Sequence, residues 1–298
     1  MRRLSSALGF VPLLGLGELA LHQYFAHRAP DVEDYAALAP ELLSLKQRGV
    51  PVVVAPEWAE PLLRQAAPEA FPLNELARAD ERAFAAFLEV SLLGESSPAL
   101  ASFPLESQQR LGPFVVARRR NPSPEPTVFD FVAAVEQGQV EVFNELEGQR
   151  RDCALVETRT QTGGLHGHVA YPSRRYECEN GRFVGVTLID DQDYRPRRCV
   201  LAQPPESGSV VLRFEAVPPS RRLVGFIGAS YFLEREHTEP QLELSLRQAE
   251  PLLRHAAVAA HGWSRFQAER PPGAGSVEVR LQRLTRPSAD FCFALEAR

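Results

Sequence analysis

Asp190, Asp191 and Asp193 crowd one short stretch of the chain. Carboxylates so close offer the hard oxygen ligands a calcium ion takes, while the same pattern also fits a solvated acidic turn answered by Arg195, Arg197 and Arg198. His166 and His168 flank one glycine, and on an extended strand both rings of such a pair face one side, where they can share a metal. No third ligand is near in sequence, and Gly163 and Gly164 fit a plain loop equally well. Tyr231, Phe232, Trp263 and Phe266 supply large rings. A flat ring packs against the C–H face of a sugar, and it also fills the core of a sandwich; Tyr231 and Trp263 are the candidate ligand-binding pair. Glu57 and Glu95 are two acidic residues expected just beyond the carboxyl ends of neighbouring strands, where acid–base or metal chemistry would need them to converge. Neither a G-x-S-x-G elbow nor an H-E-x-x-H pair occurs, so no catalytic residue is assigned.

The four cysteines, Cys153, Cys178, Cys199 and Cys292, all lie in the second half of the chain. In an exported protein an even set within one domain reads as two disulfides with three possible pairings; Cys153 with Cys178 and Cys199 with Cys292 is the preferred one, because it ties the last strand to an early one. A four-cysteine zinc site would need a C-x-x-C pair, which is absent.

The elements that must position these residues divide in three. Residues 1–30 open with Arg2 and Arg3 and continue through a mostly apolar run, the layout of a signal anchor or signal peptide. Without a clear small-x-small cleavage site a retained transmembrane helix is favoured, and the positive-inside tendency places the remainder on the extracytoplasmic, periplasmic side of the inner membrane. Gly15, Gly17 and Ala20 match a dinucleotide fingerprint only by coincidence, since no strand precedes them. Residues 31–120 read as a small α/β module: a helix over 32–48 capped by Asp31, a buried strand over 50–55, helices over 57–65 and 81–87, and strands over 88–93 and 113–118, arranged as a doubly wound sheet. After the prolines at 122, 124 and 126, residues 125–298 carry about ten short strands without a clear helix. Apolar and polar residues alternate in Leu242, Leu244 and Leu246 and again in Val277, Val279 and Leu281. The fold class expected is therefore α+β multidomain: an N-terminal membrane anchor, a doubly wound α/β module and a C-terminal antiparallel β-sandwich of jelly-roll type.

Composition sets outer limits. A chain of 298 residues has room for two cores, and a net charge of −5 with basic residues scattered along it excludes a nucleic-acid track.

Two stretches resemble known families. Residues 49–58, with 76–81, 88–95 and 112–118, are similar to the extracytoplasmic soluble region that follows the membrane helices in GT-C glycosyltransferases of the protein-mannosyltransferase-like type. The stretch from Arg197, Arg198 and Cys199 through residues 212–217, 223–228, Gly262 and Trp263 to Phe291, Cys292 and Phe293 resembles galactose-binding-like jelly rolls. A GT-C enzyme carries its catalytic aspartate between transmembrane helices, and this chain has at most one such helix, so no catalytic residue carries over. The resemblance implies an accessory or ligand-binding part, which together with the anchor reads as a non-catalytic protein that binds glycan or an envelope protein partner; the one cofactor expected, from the aspartate cluster, is a structural calcium ion. The alternatives are a glycan-processing enzyme and a purely structural envelope component.

Overall fold

The computed structural model describes residues 14–21, 23, 30–159, 161–162, 170–190, 195–229, 241–285 and 291–298. Two units emerge. One holds the residues up to Pro72 together with Ala86–Arg120; the other holds Leu73–Ala85 and Asn121–Arg298. The chain thus leaves the first unit after Pro72, contributes thirteen residues (73 through 85) to the second and returns at Ala86, an excursion absent from the sequence reading. Among the described residues no helix is long and apolar enough to cross a membrane. Most of the expected anchor lies outside the described residues; of the part described, residues 14–21 are helical, with Leu14, Leu16, Leu19 and Leu21 exposed.

In the first unit a helix runs over Val32–Leu45. Asp31 caps it by accepting from the Asp34 amide at 3.0 Å, while the Asp34 carboxylate accepts from the Asp31 amide at 3.1 Å. Tyr35, Leu38, Ala39 and Leu42 recur at helical spacing and are buried. Four strands follow, β1 (Val52–Ala55), β2 (Ala86–Leu92), β3 (Leu105–Leu111) and β4 (Phe114–Arg120), in the order β1-β2-β4-β3. β1 and β2 are parallel, but β2–β4 and β3–β4 are antiparallel, so the sheet is mixed and not doubly wound. The cause is local. Gly112, at φ +59°, turns the chain straight back from β3 into β4, so no crossover helix intervenes. The helix expected over 81–87 is instead a single 3₁₀ turn, Glu81–Ala83, capped by Asp80, and it falls in the excursion that belongs to the second unit. Among the described residues of the first unit one charge is buried: Glu89, 1% exposed, accepts from the Ser97 amide at 2.7 Å and pairs with Arg119, which also donates to the Phe103 carbonyl at 3.1 Å.

The second unit is built from β5 (Phe129–Asp130), β6 (Glu141–Leu146), β7 (Gln149–Asp152), β8 (Ala154–Glu157), β9 (Gln161–Thr162), β10 (Ala170–Tyr171), β11 (Arg174–Glu177) and β12 (Phe183–Asp190). It continues with β13 (Pro196–Ala202), β14 (Ser209–Val217), β15 (Arg222–Ala229), β16 (Gln241–Arg247), β17 (Pro251–Val258), β18 (Ser264–Glu269), β19 (Gly275–Arg283) and β20 (Phe291–Ala297). The larger sheet has the order β18-β15-β20-β13-β12-β11-β8 with β5 beside β20, and the smaller runs β17-β16-β19-β14-β6-β7. Every pairing within both is antiparallel. The chain changes sheet between β13 and β14, β14 and β15, and β15 and β16, and again on each step from β17 to β20, the alternation of a jelly-roll sandwich. Residues from both sheets, among them Leu212, Phe214, Leu244, Val279, Ile227 and Phe293, share one apolar core. The expectation of a sandwich without a helix needs correction: Phe131–Gln137 is helical, capped by Asp130, which accepts from the Val132 and Ala133 amides, and closed by Gly138 at φ +77°. Its buried face carries Phe131, whose ring meets Phe214 edge-on at 4.7 Å.

Candidate functional site

Alternation along β12, β13, β15 and β20 sends every second residue away from the sandwich core. Val184, Val200, Ile227 and Phe293 point inward, whereas Phe183, Cys199, Leu201 and Cys292 belong to a separate apolar cluster on the outer face of the larger sheet. Cys199 and Cys292 are joined there by a disulfide with Cα atoms 5.5 Å apart, and both are fully buried. A second disulfide joins Cys153 and Cys178, and no cysteine is free.

Trp263 packs against this outer cluster and is itself only partly buried. Three features fix its position. Gly262, at φ +68° and ψ −152°, holds a backbone conformation that side chains disfavour, and it delivers the indole at the start of β18. Gly228, opposite Cys292 in the register of β15 with β20, leaves room for the ring: a β-carbon there would come within 3.0 Å of Trp263 Cα and Cγ. The disulfide cluster supplies the floor. Beside the ring the Arg197 guanidinium lies 5.9 Å from its centroid, at the outer reach of a cation–π contact, and donates to the Arg78 carbonyl at 3.4 Å. The indole Nε1–H is buried and has no hydrogen-bond partner among the described residues. The result is an anchored, partly open aromatic face with a cation at its edge, suited to stacking and to hydrogen bonding, and without an acid–base pair.

One arrangement of catalytic residue types does occur. His255 on β17 and Ser264 on β18, one from each sheet, approach to 2.9 Å between Nε2 and Oγ. Ser264 Oγ donates to the Ile227 carbonyl at 3.2 Å, an arrangement that leaves the hydroxyl oxygen to accept from His255 when that ring carries its proton on Nε2. Burial holds His255 below the ordinary histidine value, with its ring against Phe266 at 5.4 Å. The pair is a clip between the edges of the two sheets. Sequence reading missed it, although the two residues flank the Ala259–His261 turn almost symmetrically.

Of the remaining sequence candidates, Glu57, Glu95, Asp190 and Phe266 fall among the described residues. Glu57 opens a 3₁₀ turn after β1 and Glu95 sits in the turn after β2, both exposed. Asp190 ends β12 and is exposed, while Asp191, Asp193, His166, His168, Tyr231 and Phe232 lie outside the described residues. Among the described residues no group of three potential metal ligands occurs. Phe266 is buried in the sandwich core and so does not extend the platform.

The sequence matches no protein-family model, and no curated protein is similar to it. Among solved structures, the M60 catalytic domain with the CBM51-1 and CBM51-2 domains of Clostridium perfringens ZmpB aligns at 7% identity and a TM-score of 0.30, covering 68% of this chain and 20% of that one. CBM51 from a Clostridium perfringens GH95 protein, in complex with methyl-galactose, aligns at 9% identity and a TM-score of 0.28, covering 52% of this chain and 99% of that one. TmCBM61 in complex with beta-1,4-galactotriose aligns at 12% identity and a TM-score of 0.25, covering 38% and 82% of the two chains. At these scores the sandwich assignment rests on this chain's own strand pairing.

Proposed function

We propose that the second unit is a non-catalytic glycan-binding sandwich whose Trp263 ring takes the C–H face of a sugar, with Arg197 contributing hydrogen bonds to ring substituents. The observation that carries this reading is the partly open indole, locked from behind by Gly228 and the buried disulfide. A rigid ring loses little conformational freedom on binding, so its contact area is converted to affinity efficiently. A membrane anchor over residues 1–30, an extracytoplasmic location and service as an accessory beside a separately encoded envelope-glycan transferase belong to the same proposal. The apolar N-terminal run and the cysteine pattern support that part.

The chain has two tryptophans, and Trp58 is 58% exposed, so Trp58→Phe leaves Trp263 as the sole indole reporter. Titrating that variant with a panel of neutral and acidic oligosaccharides should shift its emission and protect it from a soluble quencher for at least one glycan, and Trp263→Ala should abolish binding of that glycan. A panel that leaves the emission unchanged, or equal binding by Trp263→Ala, would reject the proposal.

A further inference from the structure

Away from Trp263, the second unit carries a cavity of about 350 Å³ lined by Pro124, Glu125, Pro126, Val128, Arg221, Arg222, Glu269 and Arg298. Small-ligand sites begin at roughly this size, ~300 Å³. One wall is the proline-rich connector, and it is tied down: the Val128 amide donates to the Ala297 carbonyl at 2.9 Å, and Thr127 Oγ1 donates to Glu296 Oε2 at 2.8 Å. The turn entering β15 also lines it, and there the Arg221 amide donates to the Arg298 carbonyl at 2.8 Å and the Arg221 carbonyl accepts from the Arg270 amide at 3.0 Å.

The charges in this cavity sort into two kinds. Arg222 is paired with Glu125, and Arg298, its side chain 1% exposed, is held by Glu296 at 2.5 Å and Asp80 at 2.8 Å. These answer one another. Arg221 and Glu269 do not: both side chains are exposed, and neither has an ion pair or side-chain hydrogen bond among the described residues, although Glu269 stands opposite Arg222 in the strand register. The lining therefore includes one free guanidinium and one free carboxylate, from neighbouring positions just before β15 and at the end of β18, together with the apolar Pro124, Pro126 and Val128.

A simple anion entering here would be drawn to Arg221 and opposed by Glu269; a simple cation would meet the reverse. A small molecule carrying both charges satisfies both groups at once, its carboxylate on the guanidinium and its ammonium on the carboxylate. We propose that this cavity is a second ligand site, for a compact zwitterion of the α-amino-acid class whose apolar side chain lies on the proline wall. The site is independent of the Trp263 platform.

Calorimetric titration of the full chain with L-valine, acetate and methylammonium tests it. L-Valine should bind about tenfold or more tightly than either half-molecule, and Arg221→Ala and Glu269→Ala should each weaken it by about tenfold, the effect of removing one charge-assisted hydrogen bond. Trp263→Phe should leave valine binding unchanged, which separates this site from the glycan platform. Acetate binding as well as valine would make the cavity an anion site and overturn the proposal. So would methylammonium doing the same, no heat from valine in the millimolar range, or parental affinity in both alanine variants. Both substitutions are at exposed positions, and unchanged thermal melts would establish that any loss is local.

Discussion

Cys199–Cys292 closes 93 residues of chain and Cys153–Cys178 closes 25, which makes the first the larger constraint on the unfolded state. On the chain-entropy account their contributions are about 4.5 and about 3.5 kcal/mol. The Cys199–Cys292 sulfurs also form part of the surface on which Trp263 rests, so the two bridges differ in more than strength. In a Trp58→Phe background, replacing Cys199 and Cys292 by serine should lower the denaturation midpoint more than replacing Cys153 and Cys178, and it alone should red-shift Trp263 emission. Equal emission from both double variants would mean the bridge does not position the ring. His255 gives a second residue-scale prediction. Its folded-state value is depressed by burial, whereas the unfolded value is the ordinary 6.5. Below about pH 6.5 the unfolded chain therefore binds the proton more readily than the folded one, so this stabilisation is complete above 6.5 and is lost as pH falls through the depressed folded value. Urea midpoints measured from about pH 7 down to about pH 5 should fall less steeply for His255→Gln than for the parent. Parallel pH dependence in the two proteins would remove His255 as the cause.

At the level of elements, what could be read from the chain depended on whether burial left a pattern in it. Leu242, Leu244 and Leu246 alternate with polar residues, and β16 buries those three positions. β12 occupies residues 183–190 as its apolar residues suggest. β3 left no such trace, because Leu105–Leu111 is exposed along almost its whole length and has no buried face to write a period. β17 failed for a similar reason: it is a sheet edge, and its residues are mostly exposed or half-buried. The helix Phe131–Gln137 was announced by Asp130 and Gly138, yet its short apolar run reads equally as a strand. At the site, an aromatic such as Trp263 is visible in sequence, but the room that Gly228 makes for it depends on a cross-strand register that no local spacing encodes. Glu89 is another long-range case, a carboxylate inside a fully buried, mostly apolar strand whose partner is Arg119 on β4. Glu89→Ala leaves that guanidinium unpaired and frees the Ser97 amide. With Arg119 still 18% exposed and bonded to Phe103, the cost should be about 2–3 kcal/mol, below that of breaking a fully buried pair. Chemical denaturation of Glu89→Ala against the parent measures this, and a change under about 0.5 kcal/mol, the level of an ordinary surface substitution, would mean the pair does not fasten the loop.

At the scale of the whole molecule, the route of the chain makes the second unit depend on residues that precede its main body by many positions. Leu73–Ala85 belongs to that unit, and Asp80 within it caps its own 3₁₀ turn, meets Arg298 at 2.8 Å and lies 3.8 Å from Arg265. The Arg82 and Phe84 carbonyls accept from Asn121 Nδ2 at 3.2 and 3.0 Å, and the Arg82 carbonyl also accepts from the Glu125 amide at 2.8 Å. Burial alone would lower the Arg298 guanidinium, but Glu296 and then Asp80 outweigh it and hold the group above the usual arginine value. Removing Asp80 leaves a side chain that is 1% exposed with Glu296 as its remaining carboxylate partner. Asp80→Ala should thus destabilise the second unit by about 2–4 kcal/mol, reaching the lower part of the range for stripping one partner from a buried charge because Glu296 remains. A fragment beginning at residue 121 should melt well below the full chain, because it lacks every contact of the 73–85 segment. Supplying residues 73–85 as a separate peptide should raise the fragment's melting temperature, whereas the same peptide carrying Asp80→Ala should raise it less. A fragment that melts with the full chain, unaffected by either peptide, would show that the excursion is an ornament on an independently stable sandwich.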